Sequence, residues 1–339
     1  MSKDFHKLFG SYGVGALCCL IATLSWGAMF PVMTSALKVI DPFTFTALRY
    51  GLAGFVFVIF LVSREGWAAL NLKGERWGLA LLAGTAGFAG FGFLVFLGQK
   101  MAGPEGALSA SIMMATMPLL GILVNWSLTG KRPATLTFAF ISLSFLGALT
   151  VLTHGDFAAV IRAPQNYGAD FLLIFGALCW VFYTIGATFF PKWSPYRYTA
   201  LTTVLGMTSV LAINAVLLAF GAIQLPSITT VMSIMPHIGY MALVAGFVAV
   251  LSWNIGNKKI TPMNGVLFMD VVPLTAFLIS SISGVVPDAA QIGGAAMTAG
   301  ALVLNNLYQR RLLIIGAAKI APQSTSAPTG TAVAIGEAS

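Results

Sequence analysis

Ten runs of about 20 apolar residues, separated by short polar breaks, constrain this chain more than any other feature of it. The hydrocarbon core of a bilayer is ~30 Å thick and takes about 20 residues of helix to cross. Inside it every backbone N–H and C=O must be paired within the protein, so an apolar run of that length reads as a helix. The runs lie at about 14–37, 42–63, 77–99, 104–127, 133–153, 169–190, 197–220, 236–257, 262–283 and 290–309. Ten helices of the length a bilayer requires would use roughly 200 to 215 residues, which fits within the 339 of this chain. Composition agrees: 58% of residues are hydrophobic and 8% charged, where a soluble domain carries about 25% charged. That balance excludes a soluble globular domain and a disordered chain alike. The expected fold class is an all-α integral membrane protein with ten transmembrane helices.

The net charge of +8, from 18 basic and 10 acidic residues, does not point to nucleic acid. The basic residues stand in the breaks between apolar runs rather than in patches. Their placement orients the chain instead. With both ends in the cytoplasm, the cytoplasmic segments hold fourteen Lys and Arg, among them Lys3, Arg64, Lys73, Lys131, Arg132, Lys192, Arg197, Lys258 and Arg311. The opposite face holds three, Lys38, Lys100 and Arg162. The positive-inside bias therefore predicts cytoplasmic termini. The first run continues to about Leu37 without a small-residue cleavage site and is expected to remain as a span. Cys18, Cys19 and Cys179 all fall within apolar runs and offer neither a disulfide framework nor zinc spacing. A Walker A loop, His-Glu-x-x-His and Gly-x-Ser-x-Gly are missing from the sequence as well. No metal, cofactor or catalytic residue is expected.

The sequence repeats itself. Ile21-Ala-Thr-Leu-Ser-Trp26 in run one matches Phe175-Gly-Ala-Leu-Cys-Trp180 in run six. Asp41-Pro42 with Ala47-Leu48 matches Ser194-Pro195 with Ala200-Leu201. Gly98-Gln-Lys-Met-Ala-Gly-Pro104 matches Gly256-Asn-Lys-Lys-Ile-Thr-Pro262, and Met117-Pro118-Leu119 matches Val272-Pro273-Leu274. Five spans per half is an odd number, which forces the second copy to be inverted in the membrane. Lys100 and Lys258, at matching positions, accordingly fall on opposite faces. The expected organisation is a cytoplasmic N-terminal segment (1–13), a first five-helix repeat (14–153), an external linker (154–168), a second five-helix repeat (169–310) and a cytoplasmic tail (311–339). The tail is rich in Ala, Thr, Ser, Pro and Gly and is expected to be disordered.

Trp26-Gly27 with Phe30-Pro31, Pro42 with Arg49, Ala177-Leu-Cys-Trp180, Trp253-Asn254-Ile255-Gly256 and the Pro273 segment, in this order and spacing, resemble the drug/metabolite transporter superfamily. Within it the likeness is to the EamA-like branch of ten-helix bacterial carriers, and it runs from about residue 14 to 310. The resemblance implies an alternating-access carrier of the bacterial inner membrane with a central site between the halves, often an exporter of amino acids or similar metabolites. Two positions depart from the pattern. Val272 stands directly before the second-half Pro where many members have an acidic residue, with Asp270 three residues before Pro273; and Thr202 stands where the first half has Arg49.

A charged side chain in mid-membrane costs at least ~2.5 kcal/mol on insertion scales, so it usually has a task or a partner. Two residues qualify. Arg49 is about seven residues from the outer end of its run, roughly 10 Å deep, and Asp270 about eight from the inner end of its own, roughly 12 Å deep. Arg49 suits bidentate contact with a substrate carboxylate. Asp270 suits a substrate ammonium or a coupling proton. The alternatives are a structural ion pair between them, or Arg49 snorkelling to headgroups. Trp26 and Trp180 lie too deep for an interfacial belt and, with Tyr50, Tyr183 and Trp253, are candidates to line a site; ordinary packing is the competing account. Asn254 joins them as a buried polar group in need of a partner. Pro31, Pro118 and Pro273 are candidate helix breaks, the latter two at matching positions in the halves.

These readings favour a secondary transporter of a small organic solute, an amino acid or related metabolite, over a non-transporting structural membrane partner or an integral-membrane enzyme. An enzyme needs clustered acid/base or metal-binding groups, and the loops hold only isolated charges. The expected partners are the solute, membrane lipid and a coupling proton, with the chain a monomer or homodimer.

Overall fold

The computed structural model describes residues 3–103, 106–130, 132, 134–158, 167–282 and 288–320. Pro104, Lys131, Arg162 in the linker and the tail from 321 onward lie outside these residues. Among the described residues ten long helices follow one another and no strand occurs: α1 (Lys3–Ala36), α2 (Pro42–Glu65), α3 (Trp77–Met101), α4 (Ser109–Thr129), α5 (Thr135–Thr153), α6 (Gly168–Phe189), α7 (Pro195–Ala219), α8 (Met235–Ile260), α9 (Pro262–Ile279) and α10 (Ala289–Ile320). Eight are apolar enough over 18 or more residues to cross a membrane, and α5 and α10 carry shorter apolar stretches, Thr135–Gly147 and Ile292–Asn305. With 19 residues, α5 is still about 28 Å long. Helix α10 continues to Ile320, inside the segment expected to be a disordered tail. A ten-helix membrane protein built of two inverted five-helix repeats results.

Matching sequences form matching local structure. Asp41 caps α2 by accepting from the amides of Phe43 (2.9 Å) and Thr44 (2.8 Å), and Pro42 occupies the first turn, where its missing N–H costs nothing. Ser194 caps α7 in the same way, accepting from the Arg197 amide at 2.9 Å ahead of Pro195. The departures from α geometry are paired too. Helix α3 loosens into a π segment over Thr85–Gly90 and α8 over Tyr240–Val248. Helix α4 tightens into a 3₁₀ turn at Met114–Thr116, just before Pro118, and α9 at Leu267–Asp270, just before Pro273. Such turns rearrange the i→i+4 ladder and free carbonyls in mid-span. Helix α1 runs unbroken through Pro31, which removes a single ladder bond.

The halves are interwoven rather than set side by side. Helix α1 packs chiefly on α8 and α9, and α6 on α3 and α4, so each helix finds its main partners in the other repeat. Helices α2 and α7 pair with each other, as do α5 and α10. These exchanges obey one twofold rule that maps α1 onto α6, α3 onto α8 and α4 onto α9. On one face the Arg197 guanidinium, at the start of α7, ties the α2–α3 loop by donating to the carbonyls of Ala69 (2.9 Å) and Asn71 (2.7 Å) and to Glu75 (2.9 Å).

Lipid tails are as apolar as Leu, so close van der Waals contact, rather than water exclusion, holds such helices together. Glycines supply it. A Cβ on Gly206 of α7 would lie 2.5 Å from the Gly84 carbonyl oxygen of α3, and one on Gly256 of α8 would lie 2.8 Å from the Gly15 carbonyl oxygen of α1. Both obstacles are backbone and cannot swing aside. Replacing Gly206 with Val is therefore expected to destabilise the protein by about 1–3 kcal/mol, as overpacking does. A fall of several degrees in the melting temperature of detergent-solubilised protein would register it. Gly239→Ala, at a position with nothing within 4 Å, should leave the melting temperature unchanged.

Candidate functional site

The paired helices converge on a gap at the centre of the molecule. It is walled by Trp26, Met29 and Phe30 of α1, Arg49 and Tyr50 of α2, Phe91 of α3, Met114 of α4, Trp180 of α6, Val250 of α8, and Met269 and Val272 of α9. Its free volume is about 10 Å³, the room of a single water, so the centre is closed. Trp26 and Trp180, which match in the two repeats, meet across it edge to face with ring centroids 5.1 Å apart. Trp253 lies 5.2 Å from Trp26, Phe91 5.2 Å from Trp180, and Tyr183 4.9 Å from Trp180. The Trp26 indole N–H donates at 2.9 Å to the Ala245 carbonyl, within the π segment of α8. The Trp180 indole N–H is buried and has no partner.

Arg49 is the one charge in this wall, and only 1% of its surface is exposed. Its Nη2 donates to the Tyr50 hydroxyl at 2.8 Å and Nη1 contacts the Met29 sulfur at 3.7 Å. The guanidinium carbon sits 4.2 Å from the Tyr50 ring centroid and 5.2 Å from that of Phe96. Nε has no partner, and among the described residues no carboxylate comes within 4 Å of the guanidinium. The cation is held by aromatic faces and one hydroxyl, with donor capacity left over.

Tyr183, Trp253 and Asn254 form the layer beneath the gap. The Asn254 amide donates to the hydroxyls of Tyr183 (2.7 Å) and Thr199 (2.8 Å), and the Trp253 indole donates to the Thr184 hydroxyl at 2.9 Å. Below this layer a cavity of about 310 Å³ opens among Trp193, Tyr198, Asn254, Asn257 and Lys258, whose ammonium donates to the Trp193 carbonyl. At the other end of the molecule a cavity of about 490 Å³ lies among Thr34, Leu37, Lys38, Gln99 and Lys100. Gln99 closes its floor by donating to the Phe30 carbonyl and the Thr34 hydroxyl, both at 2.9 Å. The two cavities are built from matching parts, the ends of α1 and α3 on one face and of α6 and α8 on the other.

Of the residues singled out in the sequence, the structure brings Arg49, Tyr50, Trp26 and Trp180 together around the gap, with Tyr183 and Trp253 behind them. Asn254 belongs to the layer below. Asp270 stands apart. Its neighbours Met269 and Val272 face the gap, but its own carboxyl, 4% exposed, points between α5 and α10. Arg49 and Asp270 do not pair. The apolar wall, Met29, Phe91, Met114, Val250, Met269 and Val272, gave no signal in the sequence because any buried residue of a membrane bundle looks the same.

Comparison with known proteins accords with this architecture. A family model described as "EamA-like transporter family" matches the chain twice, over residues 13–153 and 168–307. The uncharacterized transporter YrdR of Bacillus subtilis (strain 168) is 38% identical over 303 residues, 89% of this chain and 94% of that one. The uncharacterized transporter YyaM of the same organism is 28% identical over 277 residues, 80% of this chain and 86% of that one. A solved crystal structure, 22% identical, superposes with a TM-score of 0.67 over 88% of this chain and 98% of its own, a likeness of fold. The chain is a multi-pass membrane protein and belongs to the EamA-like transporter family.

Proposed function

We propose that the protein is a secondary transporter that carries a small organic anion or zwitterion, an amino acid or related metabolite, through the central gap by alternating access, in the direction of export. The observation that carries this reading is Arg49. A guanidinium buried in the wall of a central gap, with no carboxylate beside it and an N–H unfilled, is complementary to a carboxylate that arrives and leaves. The aromatic wall suits the apolar part of such a solute, and the closed centre flanked by a cavity at each face matches a carrier between its two open forms. The interwoven packing supports a motion of α1, α8 and α9 against α3, α4 and α6, in place of one repeat rocking on the other. Among the described residues the two buried charges, Arg49 and Asp270, lie in separate places, whereas acid/base catalysis needs such groups together. That supports a carrier over an enzyme.

Arg49→Ala is expected to lower flux of carboxylate-bearing solutes roughly ten- to hundredfold, the worth of a charge-assisted hydrogen bond, and flux of neutral analogues much less. Amino acids and their neutral amides, measured inside and outside cells overproducing the protein, give the comparison. Equal losses for both would make Arg49 structural.

The basic loops support cytoplasmic termini, and the family resemblance supports a bacterial inner membrane as the setting. In a background lacking the three native cysteines, Ser227→Cys is expected to react with an impermeant thiol reagent added outside cells, and Lys73→Cys only after the membrane is opened. Both positions are exposed. The reverse pattern would invert the orientation.

A further inference from the structure

The Asp270 carboxyl points into a second small cavity, between α5, α9 and α10, that the central gap does not share. Its walls are Phe140 and Ile141 of α5, Leu267 and Asp270 of α9, and Ala301 and Asn305 of α10. Ser144, one turn along α5, also faces the Asp270 carboxyl. All three polar side chains are buried, with 4% of Asp270, 2% of Asn305 and 2% of Ser144 exposed. Among the described residues, Asp270 Oδ1 and both polar atoms of Asn305, Oδ1 and Nδ2, have no hydrogen-bond partner, while the Ser144 hydroxyl is turned toward the Asp270 carboxyl. A buried polar atom without a partner costs about 1–3 kcal/mol, and a native bundle holds few of them. Three around one cavity mark a place arranged for something other than the protein itself.

Charge and size narrow what that is. An ionised carboxylate in mid-membrane needs a positive partner, and among the described residues no cationic side chain lies within 4 Å of Asp270. Water fills the space but brings no charge. The volume is about 10 Å³, the room of one water, so an organic ammonium does not fit. The oxygens on offer are a carboxylate, an amide and a hydroxyl, one from each of three helices, which is the ligand type of a hard cation. Asp270 also ends the 3₁₀ turn Leu267–Asp270, a break in the regular α ladder, and breaks in mid-span helices are where carriers present backbone carbonyls to a coupling ion.

We propose that the α5–α9–α10 junction binds one Na⁺, held by Asp270, Asn305 Oδ1 and Ser144 Oγ, at a site distinct from the central gap. Helices α5 and α10 form a steady wall for it, since they pack closely along their length and the Thr298 hydroxyl of α10 donates to the Ser144 carbonyl of α5 at 3.2 Å. Helix α9 is the shared element. Asp270 holds the ion on one side of it, while Met269 and Val272 line the central gap on the other. Drawing α9 toward the ion therefore changes the shape of the gap. That coupling rests on the carrier reading, whereas binding of the ion does not.

Purified protein in nanodiscs, heated in NaCl, KCl or choline chloride at equal ionic strength, tests binding without any solute. Na⁺ is expected to raise the melting temperature saturably, with K⁺ and choline giving no such rise. Asp270→Asn and Asn305→Leu should abolish the Na⁺ effect and Ser144→Ala should weaken the apparent affinity at least tenfold. Arg49→Ala should keep the Na⁺ effect whatever it does to flux, which separates failure of this site from failure of the central one. Should Asp270→Asn not fold, Asn305→Leu and Ser144→Ala carry the test. Equal melting in Na⁺ and choline, or a Na⁺ effect that survives the Asn305 and Ser144 substitutions, would overturn the proposal. So would a carboxyl infrared band that titrates with pH and ignores Na⁺, which would make this a proton site.

Discussion

Close contact between helices of opposite repeats is the constraint on which the rest of this structure depends. With no gain from leaving water, two membrane helices stay together only if their backbones approach closely enough for dispersion to add up. Gly84 against Gly206 and Gly15 against Gly256 provide that approach across repeats. Because the partner of each helix comes from the other half, the twofold axis runs through the packing itself, and the residues nearest the axis meet their own counterparts. Trp26 and Trp180 are one such pair. A gap on the axis, flanked by matching cavities at the two faces, follows from the symmetry of the contacts.

The electrostatics of the interior then divide in two. Arg49 and Asp270 each cost at least ~2.5 kcal/mol to place in the membrane, and pairing them would have been the simplest remedy. The fold keeps them apart. Around Arg49, cation–π contact with Tyr50 and Phe96 is worth up to about 2 kcal/mol when desolvated, and the hydrogen bond to the Tyr50 hydroxyl about 1.5–3 kcal/mol. These two offset the insertion cost without consuming the guanidinium fork. The cation is thus tolerated and still under-bonded, which is what the proposed carboxylate-bearing solute would require of it. Asp270 instead shares a small cavity with Asn305, the site at which a cation is proposed.

Much of this was legible in the residues. Ten crossings followed from the length of the apolar runs, because a bilayer fixes how much helix is needed. Inversion followed from five spans per repeat. Trp26, Trp180, Tyr50 and Arg49 declared themselves as residues too polar or too amphipathic for their depth. What stayed hidden is what depends on rotation and on distant partners. Depth along α9 places Asp270 near mid-membrane, but not which way it faces. The 3₁₀ turn before Pro273 sets that azimuth, and it turns Met269 and Val272 inward and Asp270 outward. Pro31, which has no counterpart in the second half, leaves its helix unbroken, whereas the matched Pro118 and Pro273 each follow a 3₁₀ turn. The π segments of α3 and α8 have no residue signature beyond a density of Gly and Ala. Asn305 was within reach, since a lone Asn in an apolar run asks for a partner just as Asn254 does.

The claim at the centre of this account is that the gap on the axis opens to each face in turn. Single cysteines at Met114 and Val250, one in the wall from each repeat, test it directly in a chain lacking its native cysteines. Right-side-out and inverted vesicles are treated with a small impermeant thiol reagent, and labelling is read by mass. Both positions are expected to react in both vesicle types, although the gap is closed in this structure, while the vesicles stay tight to ions. Reaction from one face only, or from neither, would contradict it.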